Sequence, residues 1–382
     1  MNEQLARNSN EFGFDLYRRQ CQKPGNLVMS PASVTIALTM TWAGARGETA
    51  AQMRKVLHLE GTEDGVMTAT GELASSLQDP SRPGIFRIAN QLFVEKTYEL
   101  APAFVETVRQ AFGAPVELLD FQEAPEPSRV HINEWVESKT ERRIRDLIPP
   151  RAIEPDTRLV LANAIYFLGD WEEPFPERAT HPAPFHLTAS ETKDVPTMHR
   201  TDWLPVGRKD GVTALAIPYE GGDLFMIFLV PDKVEGLAAL EGSLDGGKLQ
   251  ALLGAMERDH VQVSLPKFEV NPAESMSLAE DLKALGMPAA FDRNRADFTG
   301  IANPPDPEDR LVISKVFHKG FVRVDEKGTE AAAATAVVMN RAGSAPGEPR
   351  ELKIDRPFLF LILDNASGLV LFLGRVSDPS PP

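Results

Sequence analysis

The stretch that most restricts the fold of this 382-residue chain is Val324-Asp325-Glu326-Lys327-Gly328-Thr329-Glu330-Ala331-Ala332-Ala333-Ala334-Thr335-Ala336-Val337-Val338, which reads two ways at once. Its alanines favour helix and its ends favour strand. An isolated alanine run would be a surface helix capped near Thr329. The surroundings argue otherwise. Met339 to Pro349 is a polar loop without packing residues, and the very apolar Pro357 to Leu363 follows soon after. A long exposed loop is therefore held between two strands, and such loops are usually functional. The small side chains of Ala331, Ala332, Ala333 and Ala334 would also let it slip into a crowded sheet.

The rest of the chain supplies sheets for such a loop. Phe86 to Val94, Leu159 to Leu168, Val212 to Ile217, Leu224 to Val230 and Val261 to Leu265 are rich in β-branched and aromatic residues, as strands are. Gly221-Gly222 marks a hairpin turn. Helical spacing recurs around Leu5 to Leu16, from Thr49 to Leu59, Pro102 to Phe112, Val130 to Thr140 and Ser277 to Leu285. Ser30-Pro31 predicts an N-cap with proline in the first helical position of an apolar helix running to Gly44. Helices and strands mix without a strict βαβ rhythm, so the expected class is α+β, in one large domain spanning 1–382.

Composition narrows the function. Forty Lys plus Arg against fifty-five Asp plus Glu leave a net charge of −15, the wrong sign for nucleic acid or an anionic membrane. The sole cysteine, Cys21, excludes an internal disulfide framework and multi-cysteine metal sites. No metal or other cofactor is expected. The opening residues lack a basic start followed by an apolar run, so either the protein stays inside the cell or a leader has been removed. HExxH, GxGxxG, a phosphate loop and GxSxG are all missing, and the seven histidines at 58, 131, 181, 186, 199, 260 and 318 are scattered. Asn365-Ala366-Ser367 fits a glycosylation sequon, but an Asn turn between two apolar strands explains it. Lys139, Arg142, Arg143 and Arg145 read as a solvated face.

Several motifs resemble the serpin family, and they fall in family order from one end of the chain to the other. Glu326 to Thr335 matches the reactive-centre-loop hinge of inhibitory members. Ser30-Pro31-Ala32-Ser33, Asn163-Ala164-Ile165-Tyr166-Phe167 with Trp171, Leu265-Pro266-Lys267-Phe268, His318 to Glu326, and Asp355-Arg356-Pro357-Phe358-Leu359-Phe360 match as well. The resemblance implies three β-sheets with about nine surrounding helices and an exposed loop over about 326–351. It implies a suicide inhibitor and not an enzyme. A serine protease, or alternatively a cysteine protease, would cut the loop and form an acyl-enzyme, and the cut loop would insert into the main sheet. Strand insertion of this kind is a known mode of sheet augmentation for the family. The alternative within the family is a non-inhibitory carrier, chaperone or storage protein.

By family position Trp171, Lys267 and Glu326 surround the point where the loop starts to enter the sheet. Ser30, Ser33, Asn163 and His318 form a central cluster beneath the parting strands. Gly328 would permit the backbone bend, and Thr329 would be the first side chain buried. Counting a usual loop length from Glu326 puts the scissile bond at Ala342–Gly343, and Arg341 one step earlier is the alternative. The family implies a monomer with a risk of loop–sheet polymers, and an extracellular setting if a leader was removed.

Overall fold

The computed structural model describes residues 3–79, 81–82, 84–113, 116–306, 309–329 and 348–379. Among these residues, nine α-helices surround a seven-stranded and a nine-stranded sheet. The seven-stranded sheet runs Phe268–Val270, Ile313–Val324, Gly328–Thr329, Leu159–Asp170, Ile85–Glu95 and Glu117–Leu119, with Met276–Ser277 added beside Ile313–Val324. Residues Leu159 to Phe167 are buried without interruption, as in a strand covered on both faces. The nine-stranded sheet contains two of the three expected sheets. They are continuous because the 18-residue strand Thr192–Lys209 pairs with Glu257–Pro266 along its length and with Val212–Pro218 at its end.

The helix Pro31–Trp42 is buried on every side, packed between the two sheets. Ser30 caps it as expected: its side chain accepts a hydrogen bond from the Ser33 N–H at 3.1 Å, and Pro31 takes the first helical position. A polar N-terminus is thereby placed in the middle of the core. The opposite face of the seven-stranded sheet is covered by the helix Pro125–Lys139, whose Ile132 and Val136 pack with Phe93, Ala162 and Phe121. That helix begins five residues before the expected Val130, on a proline start that carries no apolar periodicity. The turn at 364–368 departs from expectation in its chemistry. Asp364 accepts from the Ser367 N–H at 3.0 Å and from the Ser367 hydroxyl, and Gly368 takes φ +68°, so an aspartate and a glycine make the turn attributed to Asn365.

Candidate functional site

The site is a slit in the seven-stranded sheet. Leu159–Asp170 and Ile313–Val324 pair directly and in parallel from Leu159 and Ile313 up to Tyr166 and Phe321. Above that point they diverge, and Gly328–Thr329 lies between them, antiparallel to both: Thr329 is opposite Gly169 on one side and Val324 on the other. The chain reaches this position by a tight reversal after Val324, in which the Asp325 N–H donates to the Gly328 carbonyl at 2.9 Å and the Lys327 N–H to the Asp325 carboxylate at 2.9 Å.

Thr329 is fully buried, and its hydroxyl is 2.6 Å from that of Tyr219. Burial holds the Tyr219 phenol well above its ordinary range, so it remains a neutral partner. Tyr219 in turn stacks on Trp171, with ring centroids 4.7 Å apart. The Trp171 indole N–H donates to the Asp325 carbonyl at 3.0 Å, and its backbone N–H to the Lys327 carbonyl at 2.8 Å, so it grips the reversal from below. Gly328 serves a different purpose from the one expected. Its φ is not in the left-handed region; instead, a Cβ there would lie 2.1 Å from the Gly169 carbonyl oxygen, and glycine supplies room for close strand approach.

Glu326 and Lys267 meet across the same end of the slit, with Lys267 Nζ 2.7 Å from Glu326 Oε2. The Thr180 hydroxyl donates to the other carboxylate oxygen at 2.8 Å. Burial pushes the Glu326 carboxyl up, but the Lys267 and Thr180 hydrogen bonds, a main-chain N–H and the lysine charge outweigh it and hold the group below its ordinary value. Asp170 beside it behaves oppositely. Burial, then the charges of Glu220 and Asp325, push its carboxyl up, and its Oδ1 is buried without a hydrogen-bond partner among the described residues.

The central cluster lies lower in the slit, where His318 is opposite Asn163 in register. The Ser30 N–H donates to His318 Nε2 at 3.0 Å, so Nε2 is unprotonated and the proton sits on Nδ1, which donates to Asn163 Oδ1. The Asn163 amide donates to the Ser33 carbonyl at 2.9 Å, and its nitrogen is 2.8 Å from Ser33 Oγ. Complete burial pushes the His318 imidazole down to about 3, outweighing its hydrogen bond to Asn163. Sequence reasoning missed Asn90 on the neighbouring strand. It is in register with Asn163, accepts from the Ser33 hydroxyl at 3.2 Å and donates to the Ser33 carbonyl at 3.2 Å. Its only signal was a polar residue in the apolar Ile85–Glu95 run. Thr180 and Tyr219 left no signal at all, since nothing local marks them as neighbours of residue 326 or 329.

The structure thus brings together Trp171, Lys267, Glu326, Gly328 and Thr329 at one end of the slit, and Ser30, Ser33, Asn163 and His318 at its middle. Ala331, Ala332, Ala333, Ala334, Arg341, Ala342 and Gly343 lie outside the described residues.

This architecture is the serpin fold. The chain superposes on uncleaved ovalbumin with a TM-score of 0.89 and 29% identity over 98% of its length and all of the other chain. Human thyroxine-binding globulin complexed with its hormone superposes with a TM-score of 0.88 at 26% identity, over 98% of both chains. The model of the family described as serpin, serine protease inhibitor, matches residues 7–379. The leukocyte elastase inhibitor of Equus caballus is 38% identical over 387 aligned residues, which cover 99% of this chain and the whole of that protein. The chain belongs to the serpin family, whose members in this comparison include protease inhibitors.

Proposed function

We propose that the chain inhibits proteases as a suicide substrate, inserting its cut loop into the seven-stranded sheet while the enzyme is still acylated. The observation that carries this reading is Thr329, already seated between the parting strands and antiparallel to both. Its buried side chain sets the parity for everything that would follow, because a strand turns alternate residues to opposite faces. Residues 331, 333, 335, 337 and 339 would face inward with it. These are Ala, Ala, Thr, Val and Met, all uncharged, while Glu330 would face outward.

The same register makes a chemical match at the centre. Six residues on from Thr329 is Thr335; six back from Gly169 is Asn163, and six back from Val324 is His318. An inserted strand would move those two partners from about 4.8 Å strand spacing to about twice that, breaking their bond. The group between them must accept from His318 Nδ1–H and donate to Asn163 Oδ1. A threonine hydroxyl does both. Continuing the register, Met339 would come opposite Leu159 at the far end of the strand, so a scissile bond at Ala342–Gly343, or one residue earlier after Arg341, would carry an acylated protease the full length of the sheet. The elastase inhibitors among the relatives favour an elastase-like target, in keeping with Ala342.

Incubation with elastase-like, subtilisin-like, trypsin-like and chymotrypsin-like proteases should give an adduct that survives denaturing electrophoresis. The fragment released from it should begin at Gly343, or at Ala342 if Arg341 is recognised. Cleavage without adduct across the whole panel would overturn the reading. Thr329→Arg should abolish the adduct while leaving cleavage intact, since an unpaired cation against Tyr219 costs several kcal/mol. The likeness to thyroxine-binding globulin supports a carrier as the second reading. Identical melting before and after loop cleavage would favour it.

A further inference from the structure

The arginines at 142, 143 and 145 are exposed, as a solvated face requires, and they also border a cavity. They follow the helix Pro125–Lys139 and come to rest over the strand Ile313–Val324, whose Lys319, Phe321 and Arg323 alternate onto one side. Together with the 269–273 segment they line an open cavity of about 460 Å³, in the size range of about 300–1,000 Å³ typical of small-ligand sites. Five cationic side chains and two carboxylates, Asp146 and Glu269, line it.

Three of the five cations, Lys319, Arg142 and Arg323, have no ion pair among the described residues. Lys319 is buried, and among the described residues its amine donates only to the Arg145 carbonyl, at 3.1 Å; burial pushes that amine down despite the nearby charge of Asp146. Arg145 pairs with Glu137 at 3.3 Å. Arg323 Nε is buried with no hydrogen-bond partner, and neither the Arg323 nor the Arg142 guanidinium has an ion pair among the described residues. Glu269 is the cross-strand neighbour of Arg323 and accepts from Asn271 at 3.4 Å; it forms no ion pair with Arg323 among the described residues. In a protein of net charge −15, a concave group of five cations against two carboxylates is a local reversal of sign. An orphaned, buried guanidinium N–H is also costly unless something accepts from it.

We propose that this cavity binds a small polyanion bearing two or more phosphate or sulfate groups. Guanidinium forks match such oxyanions bidentately. A ligand held there would join the segment leading into Leu159–Asp170 to the strand on the other side of the slit, and would stabilise the uncut form by binding it.

The probe is inorganic tripolyphosphate, titrated calorimetrically into the uncut chain at about 0.15 M ionic strength. One saturable site is expected, weakening as sodium chloride is added, with a melting temperature that rises with tripolyphosphate. Arg142→Gln and Arg323→Gln should each weaken binding about tenfold or more. Arg142 is exposed, so its substitution tests the site without threatening the fold. Arg109→Gln, which removes a cation paired with Glu106 on another helix, should leave binding unchanged. Because no protease or loop cleavage enters the measurement, its failure would not touch the inhibitor reading. Absence of saturable binding, or binding indifferent to both Arg142→Gln and Arg323→Gln, would overturn the site.

Discussion

The slit between Leu159–Asp170 and Ile313–Val324 is held at two places by opposite chemistry. At its middle, Asn163, His318, Ser33 and Asn90 are neutral; the first three are buried, and Asn90 is half-buried beside them. At its hinge end, Glu326 and Lys267 carry full charges, with side chains 12% and 22% exposed. The middle holds by mutual hydrogen-bond satisfaction, where losing one member strands the others. The hinge end holds by an ion pair that water and salt partly screen. If the sheet opens from the hinge end, as the proposed insertion requires, it is lightly tied where opening would start and more firmly tied at its middle.

The largest test of that contrast is Asn163→Ala. It leaves the His318 Nδ1–H without a partner at about 1–3 kcal/mol, while Asn90 still donates to the Ser33 carbonyl, so unfolding stability should fall by up to about 3 kcal/mol and heated samples should form loop–sheet polymers. A variant that melts normally and stays monomeric would mean the cluster is not a lock.

The second test is acid. The unfolded imidazole titrates near 6.5 and the folded one near 3, so between these values the unfolded chain takes up a proton that the native chain refuses. The contribution of His318 is complete above about pH 6.5 and is lost progressively as pH falls toward 3, amounting to about 2 kcal/mol at pH 5. In His318→Gln the decline in stability between pH 7 and 5 should be shallower by that amount, measured by denaturant midpoints. An unchanged slope would show that the histidine is not the acid-sensitive group. The neutral lock is therefore the first of the two to feel acid.

The smallest effect belongs to the hinge end. Glu326 lies below its unfolded value, so its pairing contributes above about pH 4.3 and is lost as pH falls through the folded pKa. Lys267→Met should cost about 1 kcal/mol at neutral pH, less in high salt, and should speed loop insertion after cleavage. Equal insertion rates with and without the lysine would remove any gating role from the pair.

Much of the molecule was legible in its order of residues. The strands from Phe86, Leu159, Val212, Leu224 and Val261, the capped helix after Ser30 and the Gly221-Gly222 turn all announce themselves within a few residues, because periodicity, capping and turn chemistry act over that range. What the chain could not declare locally were meetings between distant residues. Asn90 joins the central cluster because its strand registers with Leu159–Asp170; Thr180 reaches Glu326 and Tyr219 reaches Thr329 across 146 and 110 residues of chain. Gly328 is glycine because of the Gly169 carbonyl. Arg142 and Arg323 share a cavity only because a helix crosses the sheet. Strand register places Asn90, Gly328, Thr329 and Arg323, and a shift of one residue would turn each to the other face; Thr180, Tyr219 and Arg142 arrive on the loops that the packed elements position.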